Sequence, residues 1–152
     1  MSKTPWIRVI IAAAISFGTT IWGWYGWLVI AWIVSMALDY VSGSIAAAKA
    51  HEWTSDKARH GLFHKLGMFV AVAASVMLDL LFAVILRSSQ IVLPFSLTGI
   101  VSGLVMCWYT LTELGSLLEN AVKLGAPVPE WLRRILKTAK DAVDDAGDKT
   151  VK

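Results

Sequence analysis

Charged positions are scarce along this chain, and the gaps between them set out its helices. Residues 9–38 carry no charge, residues 66–86 carry only Asp79, and residues 88–112 again carry none. Crossing the ~30 Å hydrocarbon core of a bilayer takes about 20 apolar residues in an α-helix. Each run is long enough, so the predicted fold class is all-α, an integral membrane protein. The first run is too long for one crossing: as a straight helix it would measure ~45 Å and need a steeper tilt than spans ordinarily adopt. Gly23-Trp24-Tyr25-Gly26-Trp27 offers a break, with two glycines for a turn and Trp22, Trp24, Tyr25 and Trp27 as an aromatic belt at one membrane surface. The predicted spans are therefore about residues 6–22, 27–47, 66–86 and 91–112 of a transmembrane unit over 1–125, followed by a charged segment over 126–152. Merging the first two spans would leave three.

Composition agrees with this pattern. Only 16% of the 152 residues are charged and 57% are hydrophobic, against ~25% charged in soluble domains, which excludes a water-soluble domain. Cys107 is the single cysteine and forms no intramolecular disulfide. A net charge of +3 is too small to imply nucleic acid; where the basic residues fall says more. With a cytoplasmic N-terminus, four spans place Lys3 and Arg8, then Lys49, Lys57, Arg59 and Lys65, then the seven basic residues of the tail on the cytoplasmic side, and Arg87 alone outside. Basic residues concentrate on that side in membrane proteins, so both termini are expected in the cytoplasm. A cleaved signal peptide is the rival reading of the N-terminus, but the apolar run extends far past a usual signal core and into the tryptophan cluster.

Within the spans, small and polar residues recur every four positions, the spacing that stacks side chains on one helix face. Span two carries Ser35, Asp39, Gly43 and Ala47; span three carries Gly67, Ala71, Ser75, Asp79 and Ala83; span four contains Gly99 and Gly103 in a GxxxG. Such stripes let helix backbones approach closely in lipid, either within one chain or between copies of it. An ionised Asp in mid-span costs about 2.5–3.5 kcal/mol on insertion scales and ordinarily meets a partner, a cavity or water. Asp79 lies eight residues, ~12 Å, from Arg87 along a helix, too far for direct contact, so it is expected to pair with another helix, to face water or to be protonated. Asp39 has a further reading, at the cytoplasmic interface. Glu113 and Glu119 are expected at or beyond the inner surface.

Other chemistry is thin. Glu52, Asp56, His60 and His64 are four apart in the basic loop, a spacing that permits metal binding, but a solvated face is the better reading because Gly61 weakens a helix there. No nucleophile triad, phosphate-cradling loop or cysteine cluster occurs, so no enzyme, metal or cofactor is expected. After Gly125-Ala126-Pro127-Val128-Pro129 breaks the preceding helix, Trp131, Leu132, Ile135, Leu136, Ala139 and Val143 recur at helical spacing. Arg133, Arg134, Lys137 and Lys140 flank that apolar face, which suits a cytoplasmic amphipathic helix on anionic headgroups; packing against a partner is the alternative. Asp141, Asp144, Asp145 and Asp148 then mark an end expected to be solvated and disordered.

The order LDYVSGSIAAAKA (38–50), GLFHKLG (61–67), LD (78–79) and YTLTELGSLLENAVKLGAPVPEWLRRIL (109–136) resembles the bacteriophage holins of the toxin-secretion and phage-lysis group, phage holin family 4. The resemblance covers about residues 36–137. Its last element is long and specific, whereas DYxSG alone would be weak. The positions that match are Asp39, Tyr40, Gly43, Lys65, Asp79, Glu113, Ser116, Glu119, Asn120, Gly125, Pro127 and Pro129; the departures are His64, where a basic residue is common, and a Trp-rich N-terminal region.

The resemblance implies a phage-encoded inner-membrane protein that accumulates harmlessly, then oligomerises with itself into lesions that an endolysin, or a toxin, crosses. On this reading Asp39 and Asp79 face helix neighbours in the closed array and water in the open one. Two rivals come from other classes. A small ion channel or transporter subunit would pass one solute selectively, and an antiholin-like regulator would bind a membrane protein without making a lesion.

Overall fold

A computed structural model describes the backbone of residues 5–89 and 99–151, with side chains at Ser16 and over 23–89 and 99–149. Among the described residues the chain is all-helical: α1 (Pro5–Lys49), α2 (Ser55–Ser88), α3 (Ile100–Leu124) and α4 (Glu130–Val151). Three helical segments are long and apolar enough to cross a membrane, Gly23–Lys49, Ser55–Ser88 and Ile100–Leu124. The chain is an all-α membrane protein.

The break expected in the tryptophan cluster falls at its first glycine. Gly23 has φ 58° and ψ −163°, a backbone conformation that a Cβ would strain. The segment expected as the first span, 6–22, is helical from Pro5 up to that break; its side chains, Ser16 apart, lie outside the described residues. The expected fourth span, 91–112, lies only partly within the described residues. Residues 91–98 lie outside the described part, and α3 continues to Leu124.

The basic loop is shorter than expected. Thr54 accepts a hydrogen bond from the Lys57 N–H at 3.2 Å and starts α2 at Ser55, with Asp56 in its first turn. A side-chain cap and an acidic first turn both stabilise a helix N-terminus, and Gly61, beside the Tyr40 ring, does not interrupt it. At 34 residues, α2 is ~51 Å long, longer than the bilayer, so its charged first turns extend past one surface.

Helix α3 is the hub. Helices α1, α2 and α4 each pack on it, whereas the backbones of α1 and α2 stay further apart and meet through side chains. Trp32 and Met36 of α1, Met68 and Val72 of α2 and Met106 of α3 form the buried core, and the Trp32 and Phe69 rings meet at a tilt, 4.8 Å between centroids. The opposite face of α2 is bare: Val70, Met77, Leu80, Leu81, Val84 and Ile85 are all exposed, the surface a bilayer would cover.

The end of α3 is closed by its own turn. Gly125, at φ 98°, donates to the Val122 carbonyl, and Ala126 donates to the Ala121 carbonyl, both at 2.9 Å, a Schellman closure. Lys49 at the end of α1 donates to the Leu124 carbonyl at 2.7 Å. The chain then reverses through Pro127 and Pro129, and α4 runs back along α3 until Lys140 Nζ lies 4.0 Å from the centroid of the Trp108 ring. The acidic end, expected to be disordered, is helical through Val151.

Two buried polar clusters as the candidate functional site

Asp79 sits in the interior of the bundle with 5% of its surface exposed. Helix α3 begins beside it, after Gly99 at φ 80°, and Gly99 supplies no side-chain cap. A helix start leaves backbone N–H groups without intrahelical partners and carries partial positive charge. Asp79 takes that role from another helix. Its Oδ1 accepts from the Val101 N–H at 3.0 Å, and its Oδ2 accepts from the Ser102 N–H at 2.9 Å and from the Ser102 hydroxyl. The Ser102 proton is thereby used, so Tyr25 donates its hydroxyl to Ser102 Oγ at 2.8 Å. The chain Tyr25–Ser102–Asp79 links α1, α3 and α2. Of the outcomes open to Asp79 from the sequence, the structure selects pairing with another helix, through backbone rather than a basic side chain.

The second cluster lies fourteen residues away along α2, ~21 Å. Lys65 donates to Asp39 Oδ2 of α1 at 2.8 Å and to Glu113 Oε2 of α3. Its side chain is 11% exposed and that of Glu113 3%. Asn120 extends the network: its amide donates to Asp39 Oδ1 and to Ser42 Oγ, each at 3.0 Å. Gly43 packs beside it, with Asn120 Nδ2 at ordinary contact distance, 3.4 Å, from where a Cβ would sit. Two carboxylates share one ammonium, contributed by three helices. Opposite charges buried together need this kind of geometry, because each has lost its water.

The bacteriophage holin family matches residues 16–141. The chain belongs to that family. It is a family of non-enzymatic membrane proteins, and the match supports a holin-like membrane protein. Relatives of comparable length include an uncharacterized protein of Clostridium perfringens strain 13, 31% identical over 122 residues and covering 78% of this chain and 79% of its own. Another, from Halalkalibacterium halodurans, is 28% identical over 135 residues, 89% of this chain and 92% of its own. A 14.9 kDa protein encoded in the nagH 3′ region of C. perfringens is 31% identical over 138 residues, 86% and 92%. No solved structure matches.

The residues that carried the resemblance to holins fall into three places. Asp39, Gly43, Lys65, Glu113 and Asn120 meet in the second cluster, and Asp79 anchors the first. Gly125, Pro127 and Pro129 shape the reversal into α4. Ser116 and Glu119 line a cavity between α3 and α4 together with Arg133 and Lys137, while Trp131 and Arg134 point outward. Tyr40 lies against Gly61 and is partly exposed.

The small-residue stripes are resolved unevenly. Ser35 and Ser75 are buried, but each hydroxyl bonds a carbonyl of its own helix, Trp32 O at 2.8 Å and Val72 O at 2.7 Å. Ala47 and Ala71 are half-buried, and Gly67 has no neighbour within 4 Å of an added Cβ. The GxxxG of α3 receives aromatic rings: added Cβ atoms would meet Tyr25 at 3.3 Å from Gly99 and Trp24 at 3.2 Å from Gly103. Glu113 is 2% exposed within the bundle, where Lys65 reaches it from a neighbouring helix. Sequence reasoning matched Lys65 to the family but gave it no partner. The available signal was spacing: Lys65 and Asp79 are fourteen residues apart on one helix, four turns that return to nearly the same face.

Proposed function

We propose that this chain is a holin: it accumulates in the bacterial cytoplasmic membrane, oligomerises with further copies of itself, and forms lesions through which an endolysin, or a toxin, is released. Membership of the holin family carries the reading, and two features of the bundle support it. Every buried carboxylate is held by a neighbouring helix, which suits harmless accumulation. Separating those helices would turn Asp39, Asp79 and Glu113 toward water, which suits a later opening. The chain acts without a catalytic centre or cofactor.

The four-span topology with both termini cytoplasmic belongs to the same proposal. Lys49, Lys57, Arg59, Lys65, Lys123 and the basic start of α4 gather at one end of the bundle and Arg87 at the other, the asymmetry that membrane insertion favours for a cytoplasmic face. The test is to express the chain in a bacterium with and without an endolysin that lacks a secretion signal. Lysis only when both are present is the expected result. Ion leak alone would replace the reading with a channel, and no effect would replace it with a regulator.

A further inference from the structure

Residues 66–86 of α2 carry one charge, the buried Asp79, and measure ~31 Å, about the thickness of a hydrocarbon core. Lys65 therefore marks where that core ends, and its contact with Glu113 carries the same level onto α3. Toward Leu124, Ser116 and Glu119 lie ~4.5 and ~9 Å beyond Glu113, and the headgroup layer is roughly 5–7 Å deep on each side of a bilayer. These residues belong to that layer. They also lie at the end of the bundle where Lys49, Lys57, Lys123 and the basic start of α4 gather.

A cavity of about 390 Å³ opens at this level between α3 and the first half of α4. Arg133, Lys137 and Lys140 recur at the spacing of one helix face and line it from α4, while Ser116 and Glu119 line it from α3. Glu119 is the one carboxylate of that lining, so positive charge exceeds negative. Lys140 is already engaged by Trp108. Arg133 and Lys137 are not: among the described residues neither makes an ion pair or a side-chain hydrogen bond. Thr110 and Thr112 on α3 donate to the Met106 and Trp108 carbonyls, whereas the Ser116 hydroxyl bonds nothing among the described residues. A guanidinium, an ammonium and a hydroxyl thus line one cavity with their donors unspent, beside the apolar side chains of Leu111 and Leu136.

Such donors match the oxygens of a phosphodiester, which a guanidinium takes in pairs and an ammonium as a point charge. We propose that the cavity binds one anionic phospholipid of the cytoplasmic leaflet. Arg133 and Lys137 hold its phosphodiester, Ser116 donates to it, and its glyceryl and acyl part lies against Leu111 and Leu136. A basic helix merely adsorbed on headgroups would use Arg133 and Arg134 alike. In the cavity Arg134 takes no part, because it is exposed outside the lining. The choice of leaflet rests on the topology proposed above; the site itself requires no lesion.

The test titrates the full chain, in micelles of a neutral detergent, with dioleoyl-phosphatidylglycerol and separately with dioleoyl-phosphatidylcholine, and counts bound lipid by native mass spectrometry. One phosphatidylglycerol per chain is expected, held more tightly than phosphatidylcholine and not displaced by excess inorganic phosphate. Arg133→Gln and Lys137→Gln should each weaken it about tenfold, the worth of one charge-assisted hydrogen bond. Ser116→Ala should weaken it several-fold, although that hydroxyl holds nothing within the chain. Arg134→Gln, the same change of charge as Arg133→Gln, should leave binding at the natural value. Unchanged binding in Arg133→Gln and Lys137→Gln, or equal retention of phosphatidylcholine, would overturn the site. Equal loss in Arg134→Gln would replace it with adsorption on the headgroup surface, and displacement by inorganic phosphate would replace it with a site for a free anion. Because binding is read in micelles, a failed endolysin assay would remove the holin reading and leave this site standing.

Discussion

The Asp79 and Lys65 clusters solve one problem in two ways. Each keeps carboxylates inside an apolar bundle, yet Asp79 is held chiefly by the start of a helix, and Asp39 and Glu113 by side chains alone, Lys65 to both and Asn120 to Asp39. Two of the three donors to Asp79 are backbone N–H groups, which cannot move without moving α3. The donor shared by the other two carboxylates is the end of a lysine side chain, which exchanges partners by rotating. The first cluster therefore fixes how α2 and α3 are placed, and the second fixes only that three helices stay close. Separation of the bundle should begin at the Lys65 end, with Asp79 as the pivot.

The largest effect should come from removing that lysine. Lys65→Met leaves Asp39 and Glu113 facing each other without a cation, and losing one partner of a buried ionic pair costs about 3–5 kcal/mol. Thermal unfolding in detergent micelles should show a large drop in midpoint, and the chain should accumulate poorly in membranes. A melt unchanged from the natural chain would mean that the ammonium does not hold the three helices. Asp79→Leu comes next. It leaves the Val101 and Ser102 N–H groups buried without acceptors, and with hydrogen bonds to charged groups contributing ~1.5–3 kcal/mol each, a loss of about 3 kcal/mol is expected. Asp79→Asn keeps one acceptor oxygen and should lose roughly half as much. In the endolysin assay, Asp79→Leu should change lysis timing or abolish lysis; natural timing would count against Asp79 as the pivot.

How much of this was legible in the sequence follows from what each signal encodes. Uncharged runs and the glycine–tryptophan break gave the helices and the kink at Gly23, because span length and backbone freedom are local properties. Asp79 stood out for the same reason: one charge in an apolar run is conspicuous alone. Its partner was hidden, since a backbone N–H at a helix start has no residue type of its own. Lys65 looked like one of several loop cations until α2 proved to begin at Ser55 and carried it inside. The docking of α4 was equally out of reach. Its apolar spacing fits a headgroup surface or a neighbouring helix, and only the course of the chain after Pro129 separates them.

Glu113→Gln tests whether the second cluster holds one carboxylate too many. The amide still accepts from Lys65, and Asp39 no longer competes for the same charge, so the expected loss is about 1 kcal/mol, the ordinary worth of one hydrogen bond. Combined with Lys65→Met it should recover part of that variant's loss, since one buried negative charge is gone; residues in one network couple in this way. Strict additivity in detergent melts would show that Lys65 and Glu113 do not act together.

Tyr25→Phe should have the smallest effect, and it separates the clusters most sharply. The Tyr25 hydroxyl donates to Ser102 Oγ, whose own proton goes to Asp79. Removing it therefore strands no donor and leaves the cap on α3 intact. Only one lone pair loses its partner, with the ring still against Gly99, so about 1 kcal/mol is expected in the same melts. Ser102→Ala should cost more, because it removes a donor from the carboxylate itself. If Tyr25→Phe were as damaging as Asp79→Leu, the first cluster would depend on its side-chain relay to α1 rather than on the helix terminus, and the contrast with Lys65 would disappear.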